Sequence, residues 1–269
     1  MPSGFRRSHF RGIVRRMKRV LVVMVVLACS NAKTNDLPAE AWSASDYANV
    51  GLVVDRPWTS ADHTRAAAVL AEQTAGHRER LPRYQSAASG AVFAKLIEEL
   101  PADRDRPVGD RFGAHFERYE ATNAISKLYV ENALAVPTRE WIELMGVLLR
   151  EASVLASDAQ PLLASFGPDD PKREGRLAGL EKMQRGFGQM MLGSMMTAGD
   201  LRVPEADRIA LVEHVIVAMP VLLPQAPAET QLQIRNQVAL LVEKLPAGKL
   251  RDSVGRAQVI VKQALPLRD

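Results

Sequence analysis

Few side chains in this 269-residue chain can do chemistry, and they fall into three groups. One is Cys29, the only cysteine. A thiol at a free cysteine is a soft nucleophile, able to form a thioether or, with a partner, a disulfide. The second group is the histidines after it: His63, His77, His115 and His214. None has a ligand-type neighbour three or four residues away, so no helical metal motif is present and no metal or cofactor is expected. His115 stands in "GDRFGAHFERYEATNAISKLY". On a helix it shares a face with Tyr119, Thr122 and Ser126, which reads either as a polar pocket wall or as a solvated surface. His214 shares its face with Asp207 and Ala210 and is expected to point to water. The third group is the run "EKMQRGFGQMMLGSMMTAGD", with Met183, Met190, Met191, Met195 and Met196 around Phe187. Thioethers suit Cu(I), but no His or Cys accompanies them. Methionine also fills cores and lines adaptable apolar grooves, so Met183, Phe187, Met190, Met191 and Met195 read first as packing and second as a groove for an apolar ligand.

The surroundings of Cys29 assign its chemistry. In "MKRVLVVMVVLACSNAK", a basic cluster runs into nine apolar residues, Val20 to Ala28. As a helix these reach only about 14 Å, against ~30 Å for a bilayer core, so the segment cannot span. A basic start, a short apolar stretch and a small residue before a cut site describe a secretory signal. The ending Val26-Leu27-Ala28-Cys29 resembles the lipobox of bacterial lipoproteins. That resemblance implies a thioether-linked diacylglyceryl group on Cys29, cleavage before it, and acylation of the new amine. Two or more acyl chains anchor stably where one does not. Ser30, rather than Asp, is similar to the pattern sorted to the outer membrane. Met17-Lys18-Arg19 is itself an ordinary start, so the signal is expected over residues 1–28 with Met17 a candidate true beginning.

Removing the signal changes the charge. Seven of the 35 basic residues lie in residues 1–28 with no acid among them; the remaining 28 face 31 acidic residues, a net charge of −3 in place of +4. A nucleic-acid partner loses its electrostatic basis. No Gly-x-Ser-x-Gly, P-loop or dinucleotide fingerprint occurs, and the chain is not expected to be an enzyme.

The elements that would position these residues are helices. Residues 29–57 read as a lipidated flexible tether, with "NVGLVVD" as a short extended piece. From 58 to 269 the chain reads as a helical domain. "TSAD" at 59–62 is a capping-box start. Apolar stripes recur at Val92–Leu100, at Trp141, Leu144, Met145, Leu148, Leu149 and Ala152, at Ile234–Leu245, and at Leu250, Val254, Ala257, Val261 and Leu265. Asp170-Pro171 and Val203-Pro204-Glu205 read as helix openings. The prediction is an all-α bundle of about seven or eight helices, preferred over a helical repeat of the Val-Pro segments at 136–149 and 203–216. Its expected role is a non-enzymatic binding or interaction module on the periplasmic side of an envelope membrane, with a protein partner there. A carrier of an apolar ligand in the Met-rich groove is the alternative, and an enzyme built around His115 and Tyr119 the third reading.

Overall fold

The computed structural model describes residues 41–100, 105–131, 137–167 and 169–265. Residues 1–40, which hold the expected signal segment and Cys29, lie outside the described residues. Among the described residues the fold is all-α, without strands. Nine helices run in order within these residues: α1 (Ala44–Asn49), α2 (Ser60–Gln73), α3 (Gly90–Ile97), α4 (Val108–Glu131), α5 (Arg139–Ala164), α6 (Arg173–Ala198), α7 (Glu205–Leu222), α8 (Ala228–Lys244) and α9 (Lys249–Ala264). Eight of them have seven residues or more, within the seven or eight expected, and one short helix is added.

The addition is α1, and it corrects the reading of residues 41–57 as tether. Ser43 and Asp46 form a reciprocal capping box that starts α1, and Tyr47 is fully buried. Leu52 is buried in the same core, and Val50–Val54 docks without forming a strand. Burial of Tyr47, Leu52 and Trp58 supplies the apolar area that fixes this segment. The box predicted at Thr59 is present, Thr59 and Asp62 capping each other across the first turn of α2. α6 opens at Arg173, two residues after Pro171, because Asp170 caps the preceding turn through the Lys172 amide instead.

α5 is the axis of the bundle. A surface helix hides one stripe, but through residues 144–149 α5 is buried on every side. It packs on α3, α4, α6 and α7. Two cores meet along it. An N-terminal core gathers Tyr47, Leu70, Phe93, Ile125, Tyr129 and Leu144; a larger C-terminal core holds Ile142, Leu148, Leu155, Met191, Val215 and Val254. Trp141 packs against both. The predicted stripes of α8 and α9 face this second core.

α5 and α7, the two Val-Pro segments, lie side by side with their N-termini joined by Arg139 Nη1 to Asp207 Oδ1 at 3.0 Å. Gly146 lets them approach closely. A Cβ at that position would lie 2.6–2.7 Å from the imidazole of His214, which therefore nests against α5 and does not point to water as expected. Gly146→Ala should destabilise the fold by about 1–3 kcal/mol through overpacking. In a His214→Ala background the same change should become neutral or stabilising by up to about 1 kcal/mol, since Ala is the better helix former. Urea denaturation of the two single variants and the double variant measures this; equal effects in both backgrounds would refute the nesting.

Candidate functional site

α4 and α5 run antiparallel, and their facing sides carry matched charges. On α4, Arg111, His115 and Arg118 stand at i, i+4 and i+7. On α5, Glu151 and Asp158 stand seven apart. Arg111 makes a two-pronged bond to Asp158, Nε to Oδ2 at 2.7 Å and Nη2 to Oδ1 at 2.5 Å. His115 Nδ1 donates to Glu151 Oε2 at 2.5 Å. Arg118 Nε lies 3.2 Å from Glu151 Oε1.

Arg118 is fully buried, the largest side chain to be so among the described residues. Beyond Glu151 it reaches His63 on α2, with Nη1 2.5 Å from His63 Nε2. Its Nη2 donates to the carbonyls of Leu96 and Glu98. Those carbonyls belong to the C-terminal end of α3, where unpaired C=O groups and the helix dipole favour a cation. Arg150 serves the same end of α3, donating from Nη2 to the Ile97 carbonyl at 3.0 Å. Burial pulls the Arg118 pKa down to about 10, with Glu151 opposing the shift.

His63 is the terminus of this chain of contacts. An arginine is always a donor, so His63 Nε2 must accept, and its proton sits on Nδ1. That Nδ1 is buried without a hydrogen-bond partner. The ring packs edge-on to Trp58 at 5.3 Å. Burial, reinforced by the Arg118 charge, pushes the His63 pKa down to about 3, so the ring is neutral.

The face His115–Tyr119–Thr122–Ser126 is therefore an interior seam and not a solvated surface. Tyr119, Thr122 and Ser126 are all buried, and only His115 keeps partial exposure, its side chain 15% accessible. Tyr119 meets Phe187 edge-to-face at 5.7 Å, which brings together two residues singled out separately in the sequence. Burial pushes the Tyr119 phenol up to about 12. On the Met-rich helix α6, Phe187, Met191 and Met195 are buried in the C-terminal core, while Met183 and Met190 pack partly buried against it. Met196 is exposed.

A second polar group joins α5 to α7. Arg139 bridges Glu143 at 2.5 Å as well as Asp207, and its guanidinium lies 5.1 Å from the Tyr84 ring centre. His214 Nε2 approaches Glu143 Oε2 at 3.6 Å. The His214 contact and the Arg139 charge hold the Glu143 carboxyl below its ordinary pKa.

Chemically, His115 has one nitrogen fixed by a carboxylate that a buried arginine holds in turn. This arrangement orients an imidazole, as the outer partners of metal ligands and general bases do. Among the described residues no three His, Cys, Asp or Glu groups converge to hold a metal ion. Sequence reading found His115 and Tyr119 but missed Arg118 and Glu151. The signal was available as the i, i+4, i+7 basic side chains Arg111, His115 and Arg118 of α4 against the i, i+7 acids of α5. Compared with known proteins, the chain matches no family model, no curated protein and no solved structure.

Removing one partner of a buried ion pair leaves an uncompensated charge. Glu151→Gln should lower stability by about 3 kcal/mol, seen as a lower urea midpoint. A loss below about 1 kcal/mol would mean Arg118 is not held by Glu151. His63 gives the pH dependence. The unfolded chain takes up a proton near pH 6.5 where the folded ring resists it down to about 3. Its stabilising contribution is complete above pH 6.5 and falls by roughly 1.4 kcal/mol per pH unit below that. His63→Gln, which keeps an acceptor for Arg118, should flatten the stability profile between pH 6.5 and 4. An unchanged slope would assign the acid loss to other groups.

Proposed function

We propose that the chain is a lipid-anchored envelope lipoprotein whose helical domain acts as a non-enzymatic binding or interaction module. The observation that carries this is Cys29, the only cysteine, placed at the end of a non-spanning apolar segment. With it acylated, no thiol is left for a disulfide, and the fold must rest on its cores and buried ion pairs. Among the described residues no helix is long and apolar enough to cross a membrane, so on this reading the lipid on Cys29 is the attachment. Three of the histidines that could have served catalysis are engaged inside the bundle: His63 by Arg118, His115 by Glu151, and His214 against Gly146 and Glu143. That usage favours helix-to-helix clamps over a reaction centre. The domain would stand on the periplasmic side, with Ser30 favouring the outer membrane, and would meet a protein partner of the envelope.

Expressed in a bacterial host, the native chain should fractionate with membranes and incorporate radiolabelled palmitate. Cys29→Ala should lose the label and move to the soluble periplasmic fraction. A membrane-bound, unlabelled native chain would refute the lipid anchor, and crosslinking in intact cells would identify the partner.

A further inference from the structure

The loop between α2 and α3 is built as a rigid platform. Three side chains hold its backbone: the Tyr47 hydroxyl donates to the Arg80 carbonyl at 2.8 Å, the Tyr129 hydroxyl to the Pro82 carbonyl at 2.5 Å, and Glu140 Oε1 accepts from the Tyr84 amide at 3.1 Å. The Arg83 amide donates to Ser89 Oγ at 2.9 Å. Leu81 and Pro82 are buried. Gln85 adopts φ +55, a left-handed conformation that costs a side-chain-bearing residue about 1–2 kcal/mol. Loops held this firmly and under this strain commonly present groups for recognition.

What the platform presents is positive charge. The segment "HRERLPRY", residues 77–84, carries Arg78, Arg80 and Arg83 against Glu79. Glu79 is taken up by His77 at 3.1 Å. Glu140 is already bound to the Tyr84 amide and stands 3.9 Å from Arg83, whose side chain remains 43% exposed. Arg78 is exposed. Partial burial and then the like charge of Arg83 lower the pKa of its guanidinium. Arg80 lies over the Trp42 ring at 5.5 Å. Trp42, which packs partly buried against the N-terminal core, is thus the neighbour of the basic loop. A tryptophan beside arginines is the pairing that suits a membrane–water interface.

The anchor brings this loop to a membrane. From Cys29 to Trp42 is thirteen residues, at most about 47 Å when fully extended. The tether thus bounds how far Trp42, and with it Arg80 stacked over its ring, can stand from the leaflet that holds Cys29. We propose that Arg78, Arg80 and Arg83 form a docking face for anionic phospholipid headgroups of that leaflet, which orients the helical domain on the membrane. This rests on the lipoprotein reading. It also gives a mildly acidic mature chain one face that an anionic surface attracts.

The test uses the lipidated full-length mature protein. Ala87, exposed on the same loop, is replaced in an Ala87→Cys variant; with Cys29 acylated it offers the one reactive thiol and takes an environment-sensitive fluorophore. The labelled protein is reconstituted into vesicles of phosphatidylcholine alone or of phosphatidylcholine with phosphatidylglycerol, each with a spin-labelled headgroup as quencher. Quenching should be stronger with phosphatidylglycerol. Arg78→Gln and Arg83→Gln should each lower the ratio of docked to undocked domain about fivefold, with the melting temperature unchanged. High salt should weaken docking in the native protein. Equal quenching in both vesicle types, or no effect of the arginine variants, would overturn the proposal. So would loss of docking to inorganic phosphate at constant ionic strength, which would make the loop a site for free anions. Mass spectrometry of the acyl chains on Cys29 separates these failures from failure of the anchor itself.

Discussion

A guanidinium with no exposure is the constraint on which the rest of the structure depends. A buried charge without compensation is among the most costly features a fold can contain, and it persists only where partners converge on it. Around Arg118 the partners come from three other helices: Glu151 from α5, His63 from α2, and the last carbonyls of α3. None can shift far without orphaning the charge. Together with Leu144, Glu140 and Arg150 of α5, it fixes the N-terminal helices in one register against that helix. Hydrophobic packing alone would tolerate several positions of α2 and α3, because apolar contact is non-directional. Arg118 makes one of them preferable.

The same logic extends along the α4–α5 seam. His115 with Glu151 and Arg111 with Asp158 extend the pairing of α4 donors to α5 acids one and two turns away. Because the donors are on α4 and the acids on α5, a slip by one turn would break every pair together. α5 can therefore serve two cores without choosing between them. Its Leu144 belongs to the N-terminal core and its Leu148 to the C-terminal one, four residues apart on a single rod. At its other end, Arg139, Asp207 and the His214–Gly146 contact lock α7 to the same rod.

How much of this the sequence disclosed follows from the reach of each interaction. Helix stripes are local, and those of α5, α8 and α9 were readable because residues three and four apart must share a face. The capping box at Thr59 was readable for the same reason. α1 was not, since six residues with no apolar stripe are held by Tyr47, whose partners lie in the loop at Arg80 and in the distant core. His115 and Tyr119 were found together by spacing, yet their face was open to a solvated reading. Polar residues at helical period describe a wet surface and a paired interior equally well until the facing helix is known. His214 was misplaced because its receptor is a missing side chain, Gly146, which leaves no mark in a periodicity. Arg118 and Glu151 could have been paired, since the heptad-spaced cations of one segment match the heptad-spaced acids of another.

These placements divide the polar residues by what they can do. The titratable groups of the α4–α5 and α5–α7 seams face inward and answer to one another, so their chemistry is bound up with the native register. A residue that must stay paired to keep the domain folded is poorly suited to exchange partners with a substrate or ligand. On the binding-module reading proposed above, recognition would fall to groups whose partners are not yet supplied. The α2–α3 loop differs from the seams in this respect: side chains hold its backbone at Arg80, Pro82, Arg83 and Tyr84, while among the described residues no acid or carbonyl pairs with the exposed Arg78. Rigid backbone with an unsatisfied charge is the reverse of the interior arrangement, where the charge is satisfied and the backbone follows. The fold thus separates the charges that build it from those it can offer to something outside.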